Sequence, residues 1–196
     1  MLISPAEEDH TILRALFHDK GWTLHATDSL RSASALLKDS AASVVITERD
    51  LADGDWKNVL EAIDPARRRP LVIVISRLAD NHLWSEALNL GAYDVLIKPL
   101  DEAEVVRVLT SAWIRQLIEQ MDTTHKAFKE ATAGYEEMKA KYGDMLDRPE
   151  GVSALHQAAK YEALASEKYN QAVQAYSAFV RRNRLETEIR VLGAGY

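Results

Sequence analysis

The chain is predicted to contain an α/β part, a doubly wound five-stranded parallel sheet, followed by an all-α part, a long helical hairpin or coiled coil. Two observations predict the first part: short apolar runs alternate with helical patterns through residue 121, and the run 71–75 is apolar throughout, as in a strand buried on both faces. One observation predicts the second part, because apolar residues from position 114 onwards recur at alternating spacings of three and four.

Each element of the first part follows from its local pattern. Helices are predicted where apolar residues are three and four apart, and strands where short apolar or alternating runs lie between them. Asp101 is expected to cap the fifth helix, with Glu104 three residues later. In order, the predicted elements are strand 1–3, helix 11–20, strand 22–26, helix 29–38, strand 43–47, helix 55–63, strand 71–75, helix 81–90, strand 95–97 and a helix from 101. In such parallel sheets, functional groups gather at the carboxyl ends of the strands.

The second part is predicted to be two long helices. Nine of the ten seam positions between Ile114 and Met145 are apolar or aromatic, and Thr124 is the exception. This pattern predicts one helix over about 101–146, a turn at Asp147–Gly151 and a second helix over about 152–191. The predicted domains are therefore 1–121 and 122–196.

Aromatic residues on this seam are candidates for binding a partner. Phe128, Tyr135 and Tyr142 suit a bundle that is broader than a tight two-stranded zipper. The pattern leaves open an intrachain hairpin and an intermolecular coiled coil. A hairpin that dimerises into a four-helix bundle satisfies both, so we expect a homodimer.

Composition excludes several classes of protein. The net charge of −6 argues against a general nucleic-acid binder, and the absence of cysteine excludes disulfides and thiolate chemistry. No apolar run has the length of a membrane span, so we expect no membrane insertion and a cytoplasmic location. No set of residues supplies a nucleophile with a base, so an enzyme is not expected.

Several short motifs of the first part occur in a characteristic order. Gly21 follows the first helical pattern, the loop 48–55 reads Glu-Arg-Asp-Leu-Ala-Asp-Gly-Asp, and Ser76 ends the apolar strand. Gly91-Ala-Tyr-Asp94 precedes the last strand, and Lys98-Pro99 begins 22 residues after Ser76. Together, these motifs resemble those of a bacterial response-regulator receiver domain, which has a flavodoxin-like fold and acts in two-component signalling.

The resemblance implies a role for several positions. Ser76 and Lys98 occupy the positions that contact the acyl phosphate, Pro99 the cis-proline position, and Val95 the aromatic switch position. Glu48 occupies the position of the phosphorylated aspartate.

The metal positions depart from the family pattern. Ser4 and Pro5 occupy the positions of the two acidic residues that hold Mg²⁺ in the family. Neither side chain replaces an anionic oxygen ligand, so no cofactor is expected and Mg²⁺ binding is disfavoured. Glu7 and Glu8 are nearby acidic residues that could substitute in part.

These departures leave two interpretations of Glu48 and Lys98. An ion pair between them could mimic the activated state permanently, or both could be relics on a solvated rim that contribute little. Trp56 is similarly open, either as an exposed anchor for a partner or as a residue that covers the loop.

The sequence therefore predicts an atypical response regulator, a pseudo-receiver that acts by protein–protein interaction and dimerisation without conventional aspartyl phosphorylation. Its histidine kinase and protein partner stay undefined. The alternative is a transcriptional or antitermination protein that binds RNA or DNA through its helical C-terminus. The basic cluster Arg181–Arg184 favours that alternative, whereas the balanced charge of the tail does not.

Overall fold

The computed structural model describes residues 1–39, 42–63, 69–143 and 149–193, with side chains described for 1–37, 42–63, 69–143 and 149–182. In chain order, the elements are β1 Leu2–Ile3, α1 Glu7–Asp19, β2 Ala26–Thr27, α2 Leu30–Asp39, β3 Val44–Glu48, β4 Asp50–Leu51, β5 Gly54–Asp55, α3 Trp56–Ala62, β6 Leu71–Ser76, α4 Asn81–Asn89, β7 Asp94–Ile97, α5 Glu102–Tyr142 and α6 Pro149–Gly193.

The main sheet has five parallel strands in the order β2-β1-β3-β6-β7. Apolar side chains of α1 and α5 form one core with one face of the sheet, and those of α2 and α3 pack with the other face. This arrangement confirms the predicted doubly wound α/β fold. The short hairpin of β4 and β5 was not predicted, because two residues per strand carry no readable alternation.

Helix α1 begins earlier than its apolar spacing predicts. It starts at Glu7 rather than Thr11, and its first turn contains Glu7, Glu8 and Asp9. Acidic residues in a first turn are stabilised by the positive end of the helix dipole, so the polar residues belong to the helix. The earlier start matters because it brings this acidic turn to the carboxyl edge of the sheet.

The chain divides into two compact units, Met1–Gln116 and Leu117–Tyr196. Helix α5 begins in the first unit and ends in the second. No helix in the described ranges combines the length and the apolarity that crossing a bilayer would require.

Within the second unit, α5 and the part of α6 with described side chains contact each other as an antiparallel hairpin. The Thr132 hydroxyl donates to Glu162 at 2.9 Å, and His125 and Phe128 stack on Tyr169 with ring centroids 4.9 and 6.2 Å away. Three small residues are buried at this contact face or near it: Ala131, Ala165 and Ala172.

The predicted turn between the two helices needs a correction. Helix α6 begins at Pro149, so residues 149–151 are helical instead of forming part of the turn. Proline suits the first position of a helix because its missing N–H has no partner there in any case. Met145 of the seam and residues 147–148 of the turn lie outside the described residues.

Candidate functional site

Four polar residues lie at the carboxyl ends of neighbouring parallel strands. Ser4 follows β1, Glu48 ends β3, Ser76 ends β6 and Lys98 follows β7. Because the strands pair in parallel register, these ends share one edge of the sheet, where open α/β folds place their sites.

Lys98 is the centre of a mostly buried charge cluster. Its ammonium nitrogen Nζ lies 2.5 Å from Oδ2 of Asp9 and is in direct contact with the carboxylate of Glu48. Side-chain exposure is 8% for Lys98, 3% for Asp9 and 16% for Glu48. The Lys98–Pro99 peptide bond is cis, as the resemblance implied. Since the ion pair is mostly buried, the interpretation of Glu48 and Lys98 as relics on a solvated rim does not fit the structure.

Asp9 is the residue of this charge cluster that the sequence did not predict. It lies in the first turn of α1 and belongs to the helix face that also buries Leu13, Leu16 and Phe17. The sequence did hold a signal, because position 9 continues that apolar face one turn towards the N-terminus. Glu7 and Glu8, the substitutes considered from sequence, are exposed and pair with Arg14 and Arg77 instead.

Ser4 holds Asp9 in place through its hydroxyl, and His10 contacts the backbone of Ser4. The Ser4 hydroxyl donates to Oδ2 of Asp9 at 2.5 Å and accepts the backbone N–H of Ala6 at 3.2 Å. The Nε2–H of His10 donates to the Ser4 carbonyl at 2.6 Å, which places the ring proton on Nε2 because a carbonyl only accepts. The buried Nδ1 of His10 has no hydrogen-bond partner. These contacts restrict the Asp9 carboxylate to the side of Lys98.

The residues present do not fit the Mg²⁺ ion of the family. Ser4 uses its hydroxyl on Asp9, and Pro5 offers no side-chain ligand. The two carboxylates that face the site are both engaged by one ammonium group. Within the described residues, no group of three or more His, Asp and Glu side chains is placed to hold a metal ion. Mg²⁺ binds through hard anionic oxygens. At this edge of the sheet, the carboxylate oxygens of Asp9 and Glu48 contact Lys98.

Ser76, at the acyl-phosphate position, and Val95, at the aromatic switch position, have their main contacts elsewhere than in the charge cluster. The Ser76 hydroxyl accepts the backbone N–H of Leu78 at 3.1 Å, so it shapes the turn after β6. Val95 is buried in an apolar cluster that also contains Trp56.

The interpretation of Trp56 as an exposed anchor is wrong. Trp56 is 2% exposed and packs among Val74, Leu83 and Val95. Its indole fills the space between β6, β7 and α4, since it is the first residue of α3 and points inwards from there. Trp56 is therefore a residue of the hydrophobic core.

A shallow cleft of about 260 Å³ borders the charge cluster. Asp9 and Lys98 form its inner wall, and Glu8 and Arg77 are joined at its rim by an ion pair of 3.3 Å. The remaining lining residues are Ile12, Pro99 and Leu100. Asp9 and Lys98 therefore border this cleft, whereas Glu48 is not among its lining residues.

The candidate partner-binding aromatics lie in the second unit. Phe128, Tyr135 and Tyr142 are half-buried along α5, and Phe128 stacks on Tyr169. In the basic cluster, Arg181 donates through Nε to the Ser177 carbonyl at 3.3 Å. The side chains at 183 and 184 lie outside the described residues.

Comparison with known proteins establishes the family. Residues 6–110 match the response regulator receiver domain, which covers more than half of the chain, and this chain belongs to that family. The Regulatory protein AtoC of Escherichia coli (strain K12) is 25% identical over 112 residues, which are 57% of this chain and 24% of AtoC. This chain therefore matches about a quarter of the length of that relative.

Two solved structures illustrate the likeness in fold. The signal receiver domain of an HD domain-containing protein from Pseudomonas fluorescens Pf-5 is 27% identical, with a TM-score of 0.55 over 60% of this chain and 88% of that one. The beryllofluoride-activated NtrC4 receiver domain dimer is 23% identical, with a TM-score of 0.55 over 59% of this chain and 95% of that one. The chain is thus a response regulator receiver domain of two-component signalling, joined to a pair of long helices.

Proposed function

We propose that this chain is an atypical response regulator, a pseudo-receiver that signals through protein–protein contacts and dimerisation without conventional phosphorylation of an aspartate. The observation that carries the proposal is the buried contact of Glu48 with Lys98. In the family, the residue at position 48 receives a phosphoryl group and the lysine contacts that group. Here a glutamate already meets the lysine, and the second carboxylate on the lysine comes from α1.

The position of the glutamate also supports the proposal. Its carboxylate extends one methylene beyond that of an aspartate, and catalysis of phosphoryl transfer depends on positioning and electrostatic stabilisation. We infer that the Glu48–Lys98 pair holds the receiver in one conformation.

Dimerisation is proposed to occur through the helical hairpin. A pair of helices buries only one side of each seam residue, and Tyr135, Met138 and Tyr142 are accordingly half-buried. A second copy of the hairpin would cover their remaining surface and complete a four-helix bundle. No catalysis by the chain is required for this function.

The first experiment tests the absence of phosphorylation. Purified protein is incubated with acetyl phosphate and Mg²⁺, and its intact mass is measured alongside that of Glu48→Ala. We expect neither protein to gain the mass of a phosphoryl group. A gain by the unaltered protein that Glu48→Ala loses would refute the proposal.

The second experiment tests dimerisation. Light scattering after size exclusion should give the mass of a dimer for the unaltered protein and of a monomer for Tyr135→Glu, which places a charge in the seam. Ala133→Glu introduces the same charge at an exposed position two residues away and should stay dimeric. A monomeric unaltered protein would contradict the dimer.

A further inference from the structure

The charge cluster contains one cation and two anions that meet at a single atom. Nζ of Lys98 contacts Oδ2 of Asp9 and Oε2 of Glu48, so these two oxygens lie no further apart than the sum of two hydrogen-bond lengths. Two carboxylates that close together repel each other unless a cation lies between them. The ammonium therefore supplies the positive charge between the two carboxylates.

The three charges come from three separate elements. Asp9 lies on α1, Glu48 ends β3 and Lys98 follows β7, so the cluster joins the first, central and last parts of the receiver. The formal charge of the trio is −1, because two carboxylates face one ammonium. The hydroxyl of Ser4 donates to Asp9 and spreads part of the remaining negative charge.

We propose that the Lys98 ammonium is the resident cation of this site, that Asp9 is the anionic arm which fixes it there, and that together they exclude a divalent ion. The inference deepens the proposed function, since it gives the physical reason why Mg²⁺-dependent phosphorylation is lost. A divalent ion entering from the cleft would meet the ammonium at close range and would have to displace it. Lys98 follows β7 and its side chain is mostly buried, so displacing the ammonium would break both of its ion pairs.

If the inference holds, Lys98→Met should gain a binding site rather than lose one. Methionine keeps the bulk of the lysine side chain but removes the positive charge, which leaves Asp9 and Glu48 as an uncompensated pair. Two adjacent carboxylates, with water in the remaining positions, are a suitable ligand set for Mg²⁺ or Mn²⁺. The substitution should create a divalent ion site where the unaltered protein has none.

The test measures Mn²⁺ binding by electron paramagnetic resonance and the midpoint of thermal unfolding, Tm, with Mn²⁺ or Mg²⁺ present. For Lys98→Met we expect saturable binding of Mn²⁺ and a rise in Tm of roughly 5 °C at saturation. The unaltered protein and Lys98→Arg, which keeps a cation, should show neither. Lys57→Met removes the charge of another ion-paired lysine, on α3, and should also show neither.

A double variant assigns the role of Asp9. Asp9→Asn combined with Lys98→Met leaves one carboxylate and should bind Mn²⁺ at least tenfold more weakly than Lys98→Met. If Lys98→Met does not fold in metal-free buffer, refolding with Mn²⁺ should restore the tryptophan fluorescence of the native state. Failure to recover, or equal affinity in the single and double variants, would overturn the inference.

The outcomes distinguish this inference from the proposed function. Saturable Mn²⁺ binding by the unaltered protein, without uptake of a phosphoryl group, would overturn the resident-cation inference and leave the phosphorylation-independent function standing. Uptake of a phosphoryl group at Glu48 would overturn the proposed function directly. The oligomeric state is measured separately and does not depend on either result.

Discussion

Asp9 and Glu48 together supply the negative charge around Lys98 at the carboxyl edge of the sheet. The family places acidic residues directly after the first strand, where this chain has Ser4 and Pro5. Asp9 reaches the same edge from the first turn of α1, and its carboxylate contacts the lysine. The burial of Asp9 on α1 explains this contact, because a carboxylate on the buried helix face points to the ammonium, whereas the exposed Glu7 and Glu8 do not.

Trp56 should carry a large share of the stability of the first unit. Trp56→Ala removes a buried indole from among Val74, Leu83 and Val95 and should lower the free energy of unfolding by about 3–5 kcal/mol through lost burial and the remaining cavity. Urea denaturation followed by circular dichroism measures this change. Trp84→Ala, at a side chain that is 49% exposed, serves as the control and should cost about 0.5 kcal/mol or less. Equal costs would contradict the buried position of Trp56.

Elements of this fold are held by contacts that cross long stretches of sequence. Asp53, in the turn between β4 and β5, accepts the backbone N–H groups of Leu30 and Arg31, both at 2.9 Å. It therefore caps the N-terminus of α2 from a distant loop, and these hydrogen bonds hold the pKa of the Asp53 carboxyl below its usual range. The small β4–β5 hairpin positions Asp53 for these hydrogen bonds, and in this way it fixes where the N-terminus of α2 lies.

Two glycines should respond in opposite ways to a methyl group. Gly134 lies inside α5, and a Cβ there would meet no atom within 4 Å, so Gly134→Ala should raise stability by about 0.5–1 kcal/mol. At Gly54, a Cβ would lie 2.9 Å from both Leu30 Cδ2 and Asn58 Oδ1, so Gly54→Ala should be destabilising. Thermal unfolding of both variants measures the difference. A loss of stability in Gly134→Ala would show that α5 needs flexibility at that point.

On the scale of the whole molecule, spectroscopic probes are divided unequally between the two units. All four tryptophans, at positions 22, 56, 84 and 113, lie in the first unit, Met1–Gln116. The second unit contains α6 and the later part of α5, so it contributes a large share of the helical circular dichroism. Tryptophan fluorescence therefore follows the first unit alone, whereas helical circular dichroism reports on both units.

A substitution in the hairpin should separate the two signals. Ala172 is 1% exposed on α6, so Ala172→Glu buries a charge against α5 and should destabilise the second unit. We expect the unfolding transition seen by circular dichroism to move to lower temperature more than the one seen by tryptophan fluorescence. Ala175→Glu, at an exposed position on α6, should leave both transitions in place. Equal shifts for Ala172→Glu would mean that the two units unfold as one.

Much of the fold could be read from the sequence because its signals are local and periodic. The buried strand β6, the helices of the first unit and the long helix α5 follow from runs and spacings within a few turns of chain. The strand-end positions of Glu48, Ser76 and Lys98 follow from the same reasoning, since parallel strands end at a common edge. The start of α1 was placed too late because its acidic first turn lacks apolar residues, and the burial of Trp56 depends on neighbours that are far away in sequence.

The sequence by itself determined the fold class, the family motifs and the loss of the acidic pair after β1, because each is a matter of residue type at a given spacing. Only the tertiary structure decided what replaces that pair. Asp9 and Lys98 are 89 residues apart, and no local pattern indicates that the first turn of α1 meets the end of β7. Their contact depends on packing α1 and β7 onto one sheet, and that packing brings the Asp9 carboxylate to the Lys98 ammonium.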